Sequence, residues 1–236
     1  MVEPCEVVVI GAGPYGLSIA AYLAASNIPH RIFGKAMETW ATQMPRGMLL
    51  KSEGFATSLY DPARSFTLER YCRERNIPYA DLGIPPRLED FVDYGRAFQR
   101  NLVPHLEEVM VKSLEHDGSR YRLQLETGAH CLARTVVVAA GISHFAVLPK
   151  ALSDLPQDLV THTSEHNDLG AFKGRKVAVI GAGASPPGDD ETDAATCSRA
   201  ASASLGRSCS KGCAIDRGAV VAAESYCETG SASRAR

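Results

Sequence analysis

Residues 7–24 read VVVIGAGPYGLSIAAYLA, and this stretch decides the fold. Val7 to Ile10 is a short unbroken apolar run, the pattern of a strand buried on both faces. It enters Gly11-Ala12-Gly13-Pro14-Tyr15-Gly16, a GxGxxG turn, and Leu17 to Ala24 follow with helical apolar spacing. Asn27 is placed to stop that helix, and His30 to Phe33 forms a second strand. In such a turn the first glycine permits the tight bend and the second lets the backbone approach a pyrophosphate. The third lets the helix pack closely on the strand. The helix N-terminus then offers unpaired N–H groups and a positive dipole end to an anion. The strand–turn–helix–strand context is what gives the motif its meaning. One element departs from the pattern. The acidic residue expected about 20 positions on, to hold ribose hydroxyls, is replaced by Gly34 and Lys35, and Glu38 is the nearest carboxylate.

Outward from this turn the chain reads as mixed α/β. Met37-Glu38-Thr39-Trp40 and Gly47 to Gly54 lie in a loop-rich region with short helical patterns. Trp40, the only tryptophan, reads either as a half-buried core aromatic or as a neighbour of a bound ring system. Lys51 and Ser52 read either as that same neighbourhood or as surface polar groups. Thr67 to Arg75 is a helix closed by Asn76 and Pro78, and Pro85 opens another that continues to about Leu102. His105 is expected to be an exposed loop histidine. Alternation over residues 109–132, with turns at Asp117-Gly118 and Thr127-Gly128, predicts a β-meander. Arg134 to Ala140 is expected to be a buried strand returning to the parallel sheet. It closes on Ala139-Ala140-Gly141, small residues that let a ligand lie close to the backbone.

A second strand, Arg175 to Ile180, enters Gly181-Ala182-Gly183-Ala184-Ser185, the start of another dinucleotide turn. Two such turns in one chain are far more specific than either alone. The second stops matching at once, because Pro186 and Pro187 stand where a small residue and a helix should follow, and an acidic run, Asp189 to Asp193, comes next. Residues 186–236 carry 11 Ala, 8 Ser and 4 of the 7 Cys, with few large apolar side chains. Such a segment buries too little apolar area to offset its ordering entropy. Cys209 and Cys213 have neither a histidine nor a second close cysteine pair in this tail, so no metal site is expected there.

The net charge of −2 gives no electrostatic case for nucleic acid or a membrane surface, and no signal or spanning segment precedes the first strand. The expectation is a cytoplasmic protein with reduced thiols.

GAGPYG, METW, GMLLKSEGF, VVVAAG and VIGAGAS together resemble the FAD- and NAD(P)H-dependent monooxygenases, near the flavin-containing monooxygenases and the lysine/ornithine N-hydroxylases. The resemblance covers about residues 5–185. It implies an α/β, Rossmann-like FAD/NAD(P)-binding fold: a doubly wound parallel sheet with a β-meander, its C-terminal part incomplete. It implies an FAD-binding domain over 1–150 and the start of an NAD(P)H-binding domain over 151–185, while composition makes 186–236 an atypical, disordered tail. Gly11, Gly13, Pro14, Tyr15 and Gly16 would hold the FAD pyrophosphate, and Trp40, Lys51 and Ser52 would lie near the flavin. Ala140 and Gly141 would match the family's Ala-Thr-Gly stretch, from which Ala139-Ala140 departs, and Gly181, Gly183, Ala184 and Ser185 would begin an incomplete NADPH site. The implied reaction is hydroxylation of a small molecule at the expense of NAD(P)H and O2. A reading-frame shift near residue 186 is expected, which would leave this chain inactive. Two other readings stand beside this one: a non-catalytic FAD-binding fragment, and a thioredoxin-reductase-like disulfide reductase, for which no Cys-x-x-Cys pair is present.

Overall fold

The computed structural model describes residues 5–148, 152, 155–156, 159–175, 177–180 and 219–222. The second turn, Gly181 to Ser185, and all of the tail except 219–222 lie outside the described residues. The chain divides into two compact units, Met1–Gly141 and Ile142–Arg236.

The first unit is built on one five-stranded sheet. Its strands are β1 (Cys5–Ile10), β2 (His30–Phe33), β3 (Val111–His116), β4 (Tyr121–Leu125) and β5 (His130–Val138), in the order β2-β1-β5-β4-β3. β1 pairs in parallel with β2, Val7 opposite His30, and in parallel with β5, Ile10 opposite Val138. β5, β4 and β3 form the antiparallel meander. The apolar run of β1 is central, and Val8 and Val9 are fully buried, each worth roughly 1.5–3 kcal/mol of transfer free energy. Helix α1 (Pro14–Ala25) follows the turn and turns Gly16, Leu17, Ala20 and Ala21 inward. Ser26 caps it, and Asn27 takes the left-handed conformation just beyond. Helices α2 (Glu38–Gln43), α3 (Gly54–Thr57), α4 (Leu68–Arg75) and α5 (Leu88–Leu102) complete the unit. In α5 the buried residues Leu88, Phe91, Val92, Gly95 and Phe98 recur at helical spacing on one face.

Thr67 accepts from the Arg70 N–H at 3.2 Å as the N-cap of α4, and Asn76 closes it in the left-handed region, as the polar flanks of the pattern predict. Three expectations need correction. α5 begins at Leu88, because residues 86–88 hydrogen-bond to residues 48–50 instead, Leu50 N–H to Pro86 O at 2.8 Å and Leu88 N–H to Met48 O at 2.9 Å. The meander's first strand starts at Val111, with an irregularity between Val111 and Ser113. β5 is longer and less buried than expected. It starts at His130, stops at Val138, and leaves Val138 63% exposed. β4 pairs only with its first half, up to Ala133, so among the described residues Arg134 to Val138 have a ladder partner only in β1.

The second unit contains a three-stranded parallel sheet, β6 (Val160–His162), β7 (Val177–Ile180) and β8 (Ala219–Ala222), in the order β6-β8-β7. β7 is the strand expected before the second turn. β8 lies within the segment 186–236, the rest of which is outside the described residues, and Val220 and Val221 there form a central strand. Two adjacent β-branched residues between alanines suit a strand paired on both edges.

Candidate functional site

The GxGxxG turn sits where β1, β2 and β5 end together. The Gly11 N–H donates to Phe33 O at 2.8 Å, Ala139 N–H to Ile10 O at 2.7 Å, and Met37 N–H to Ala12 O at 3.0 Å. The turn is thus tied to the end of β2, to the segment after β5 and to the start of α2. Its three glycines differ in what surrounds them. Gly11 has φ +107, and a Cβ there would stand 2.7 Å from the Ala139 carbonyl carbon and 3.1 Å from the Ala140 nitrogen. A Cβ on Gly16 would stand 2.9 Å from the Gly11 carbonyl carbon, so the helix packs directly on the strand end. A Cβ on Gly13 would meet nothing within 4 Å. Two glycines are therefore required by the protein's own backbone, and the third opens onto free space at the N-cap of α1.

Pro14 occupies the first turn of α1, and no acidic side chain lies there. The first-turn N–H groups of a helix have no intrahelical partner, so the open space at Gly13 faces donors and the positive end of the helix dipole. Tyr15 is 82% exposed beside it. This cradle fits a pyrophosphate on the criterion of room and donors, and the structure brings Gly11, Gly13, Pro14, Tyr15, Gly16 and the Ala140 backbone to one place. Gly141 follows, exposed and with φ +75.

Trp40, Lys51 and Ser52 are the other sequence-predicted residues described on this unit. Trp40 is half-buried, packs on the core, and meets Phe91 edge-on at 4.9 Å between centroids. Lys51 is exposed, and Ser52 Oγ lies 2.8 Å from Thr57 Oγ1. Gly181, Gly183, Ala184 and Ser185 lie outside the described residues.

Sequence reasoning missed several residues that shape the site. Gly34 was read as the place of a missing acid. It has φ +134, and its Cβ would stand 3.1 Å from Ala12 N and 3.3 Å from Gly11 Cα, so the position is filled by the turn itself. Ser18 Oγ donates to Pro14 O at 2.8 Å and accepts from Tyr60 N–H at 2.9 Å, linking α1 to the loop before α4. Glu107 lies along β2, its N–H donating to Ile32 O at 3.0 Å and its carbonyl accepting from Gly34 N–H at 3.1 Å. Its carboxylate takes Arg31 in a two-pronged pair, Nε to Oε1 at 2.7 Å and Nη2 to Oε2 at 2.6 Å. That pairing holds the Arg31 guanidinium well above its usual range. A glycine just past β2 and a carboxylate opposite an arginine are the only signals that the sequence offered for these.

The family of L-lysine 6-monooxygenases and L-ornithine 5-monooxygenases matches residues 3–188, more than three quarters of the chain. The chain belongs to the L-lysine 6-monooxygenase/L-ornithine 5-monooxygenase family. The match to this monooxygenase family ends close to the composition break at residue 186. Among curated proteins the chain is similar to the indole-3-pyruvate monooxygenase YUCCA1 of Oryza sativa subsp. japonica, 28% identical over 189 residues. That similarity covers 75% of this chain and 42% of that protein. Among solved structures it resembles a flavin-containing monooxygenase from Stenotrophomonas maltophilia, with TM-score 0.60 and 22% identity, covering 76% of this chain and 51% of that one. It also resembles the bacillithiol disulfide reductase of Staphylococcus aureus, with TM-score 0.58 and 18% identity, covering 76% of this chain and 50% of that one. These likenesses show the Rossmann-like α/β fold. The chain spans about two fifths of the length of the curated relatives it matches. Among the described residues no helix is long and apolar enough to cross a membrane.

Proposed function

We propose that this chain is the FAD-binding part of a flavin monooxygenase that uses NAD(P)H and O2 to hydroxylate a small molecule. The observation that carries the reading is the contrast within one turn: Gly11 and Gly16 are closed by backbone, while Gly13 opens onto empty space before the first-turn N–H groups of α1. In this reading Gly11, Gly13, Pro14, Tyr15 and Gly16 hold the FAD pyrophosphate, and Ala140 and Gly141 border it. Trp40, braced by Phe91, together with Lys51 and Ser52, borders the flavin end. Bound FAD supplies the redox chemistry and oxygen transfer. The protein's part would be to hold the dinucleotide at the Gly11–Gly16 turn and to keep its reacting ring in place.

The test is the flavin content of the purified chain. One FAD per chain, released on denaturation and identified as the dinucleotide, supports the reading. A chain that neither retains FAD nor binds it on titration overturns it.

The NAD(P)H half is proposed as incomplete. Pro187 has no N–H to offer a phosphate, and the run Asp189 to Asp193 that follows it in the sequence carries charge of the same sign as the cofactor. We expect anaerobic mixing of the FAD-loaded chain with NADPH to leave the flavin absorbance unbleached on the timescale of turnover, about 1 per second. Bleaching at that rate would show a working second site in this chain.

A further inference from the structure

Two histidines 75 residues apart in sequence meet at the start of β2, the opposite end of that strand from the GxGxxG turn. His30 is the first residue of β2, half-buried and opposite Val7 of β1. His105 is exposed in the segment that follows α5. That segment is held on both sides of it, Leu106 N–H donating to Val103 O at 3.2 Å and Glu107 N–H to Ile32 O at 3.0 Å. The two Nε2 atoms face one another at 2.8 Å, with the ring centroids 4.7 Å apart and the ring planes at 75°. His30 Nδ1 lies 2.8 Å from the Ile28 carbonyl, which only accepts. Its proton therefore sits there, and its Nε2 presents a lone pair. A backbone carbonyl on the far nitrogen is the partner that orients a metal-ligating histidine. Nothing in the FAD reading uses either residue.

Neutral imidazole nitrogens suit copper, nickel and zinc. Two nitrogens each about 2.0 Å from one ion stand about 2.8 Å apart at a right angle, and about 3.3 Å apart at a tetrahedral one. The spacing of this pair matches the right angle, which is the geometry of tetragonal Cu2+ and Ni2+, and Cu2+ is the tighter binder of the two. We propose that His30 and His105 form a two-histidine site for a divalent transition-metal ion of tetragonal preference, Cu2+ before Ni2+, with both Nε2 atoms as neighbouring ligands. The ion takes the place of the proton that lies between the rings, and His105 then carries its proton on Nδ1. Among the described residues no third His, Cys, Asp or Glu joins the pair to complete a ligand set. The Glu107 carboxylate is taken by Arg31, so water fills the remaining positions.

The experiment is titration of the untagged full chain with Cu2+, read by calorimetry and by electron paramagnetic resonance. Circular dichroism checks that each variant folds. His105 is exposed, so His105→Gln decides the matter should His30→Gln fail to fold. The tightest Cu2+ on the wild-type chain should give a tetragonal spectrum coupled to two imidazole nitrogens. An outer partner of a ligand is worth about 10–100-fold in metal affinity, and a ligand itself should be worth no less. His30→Gln and His105→Gln should therefore each weaken Cu2+ binding at least about tenfold and leave a single coupled imidazole. His116→Gln, which removes an exposed histidine of β3, should bind Cu2+ as the wild-type chain does. Zn2+ should compete only weakly. A wild-type chain that binds no Cu2+, or binds it no better than His105→Gln does, overturns the site. Zn2+ binding as tight as that of Cu2+ overturns the tetragonal assignment.

Discussion

A Cβ on Gly16 would overlap the carbonyl oxygen of Gly11, so helix α1 rests on the end of β1 with no room for a side chain between them. Gly16→Ala should therefore act on folding before it acts on any ligand. Overpacking of this kind costs about 1–3 kcal/mol. Urea unfolding followed by circular dichroism should show an unfolding free energy lowered by that amount, read as a lower midpoint with the slope unchanged. An unshifted midpoint would mean that α1 can slide away from β1 without penalty.

Gly13 should behave in the opposite way. Its φ is −77 and a Cβ there meets nothing, so Gly13→Val should fold with a stability change of no more than about 1 kcal/mol, typical of an N-cap position. The same side chain would stand where the pyrophosphate approaches, and FAD binding should be lost. Normal FAD retention by Gly13→Val would remove the turn from the cofactor site.

Tyr94 is buried in α5, donates its hydroxyl proton to Phe66 O at 2.9 Å and accepts from Leu59 N–H at 3.1 Å. Burial holds its phenol far above the usual range, so it stays neutral at any working pH. It thereby pins the loop between α3 and α4 to the core, and its ring lies parallel to that of Phe66, 6.0 Å away. Tyr94→Phe keeps the ring and leaves both backbone groups unpaired. The expected loss is about 1–3 kcal/mol, read by chemical denaturation, with accelerated amide exchange at Leu59.

His105 meets His30 across the start of β2, Nε2 to Nε2 at 2.8 Å. His30 Nδ1 lies 2.8 Å from the Ile28 carbonyl, which only accepts, so His30 carries its proton there. The Nε2–H of His105 then donates to His30. Burial, and next the neighbouring imidazole, hold the His105 pKa below its usual value, while Glu107 acts the other way. The folded chain accordingly takes up fewer protons than the unfolded one. Stability should be full above about pH 6.5 and fall as the pH drops through that value toward the lower folded pKa. Denaturation midpoints between about pH 7.5 and pH 5.5 should decline less steeply for His105→Gln than for the wild-type chain. Equal slopes would show that the pair carries no proton linkage.

The sequence by itself determined the β1–turn–α1–β2 unit and both ends of α4, because each is written in neighbouring residues. An apolar run, three glycines at fixed offsets, a threonine cap and a left-handed asparagine need no distant partner. The tertiary structure alone decided what depends on contacts far apart in the chain. Glu107 sits beside β2 and pairs with Arg31, Tyr94 reaches Leu59 and Phe66, and His30 meets His105. β5 is edged by β4 only as far as Ala133, and Val220 and Val221 become a central strand. The departure at Gly34 joins the two kinds of information. Its residue type was plain in the sequence, but its reason, the Gly11–Ala12 backbone lying against it, exists only once β1 and β2 are paired. A side chain's neighbours along the chain are set by covalent order, whereas its neighbours across a sheet are set by register, and register is a property of the folded whole.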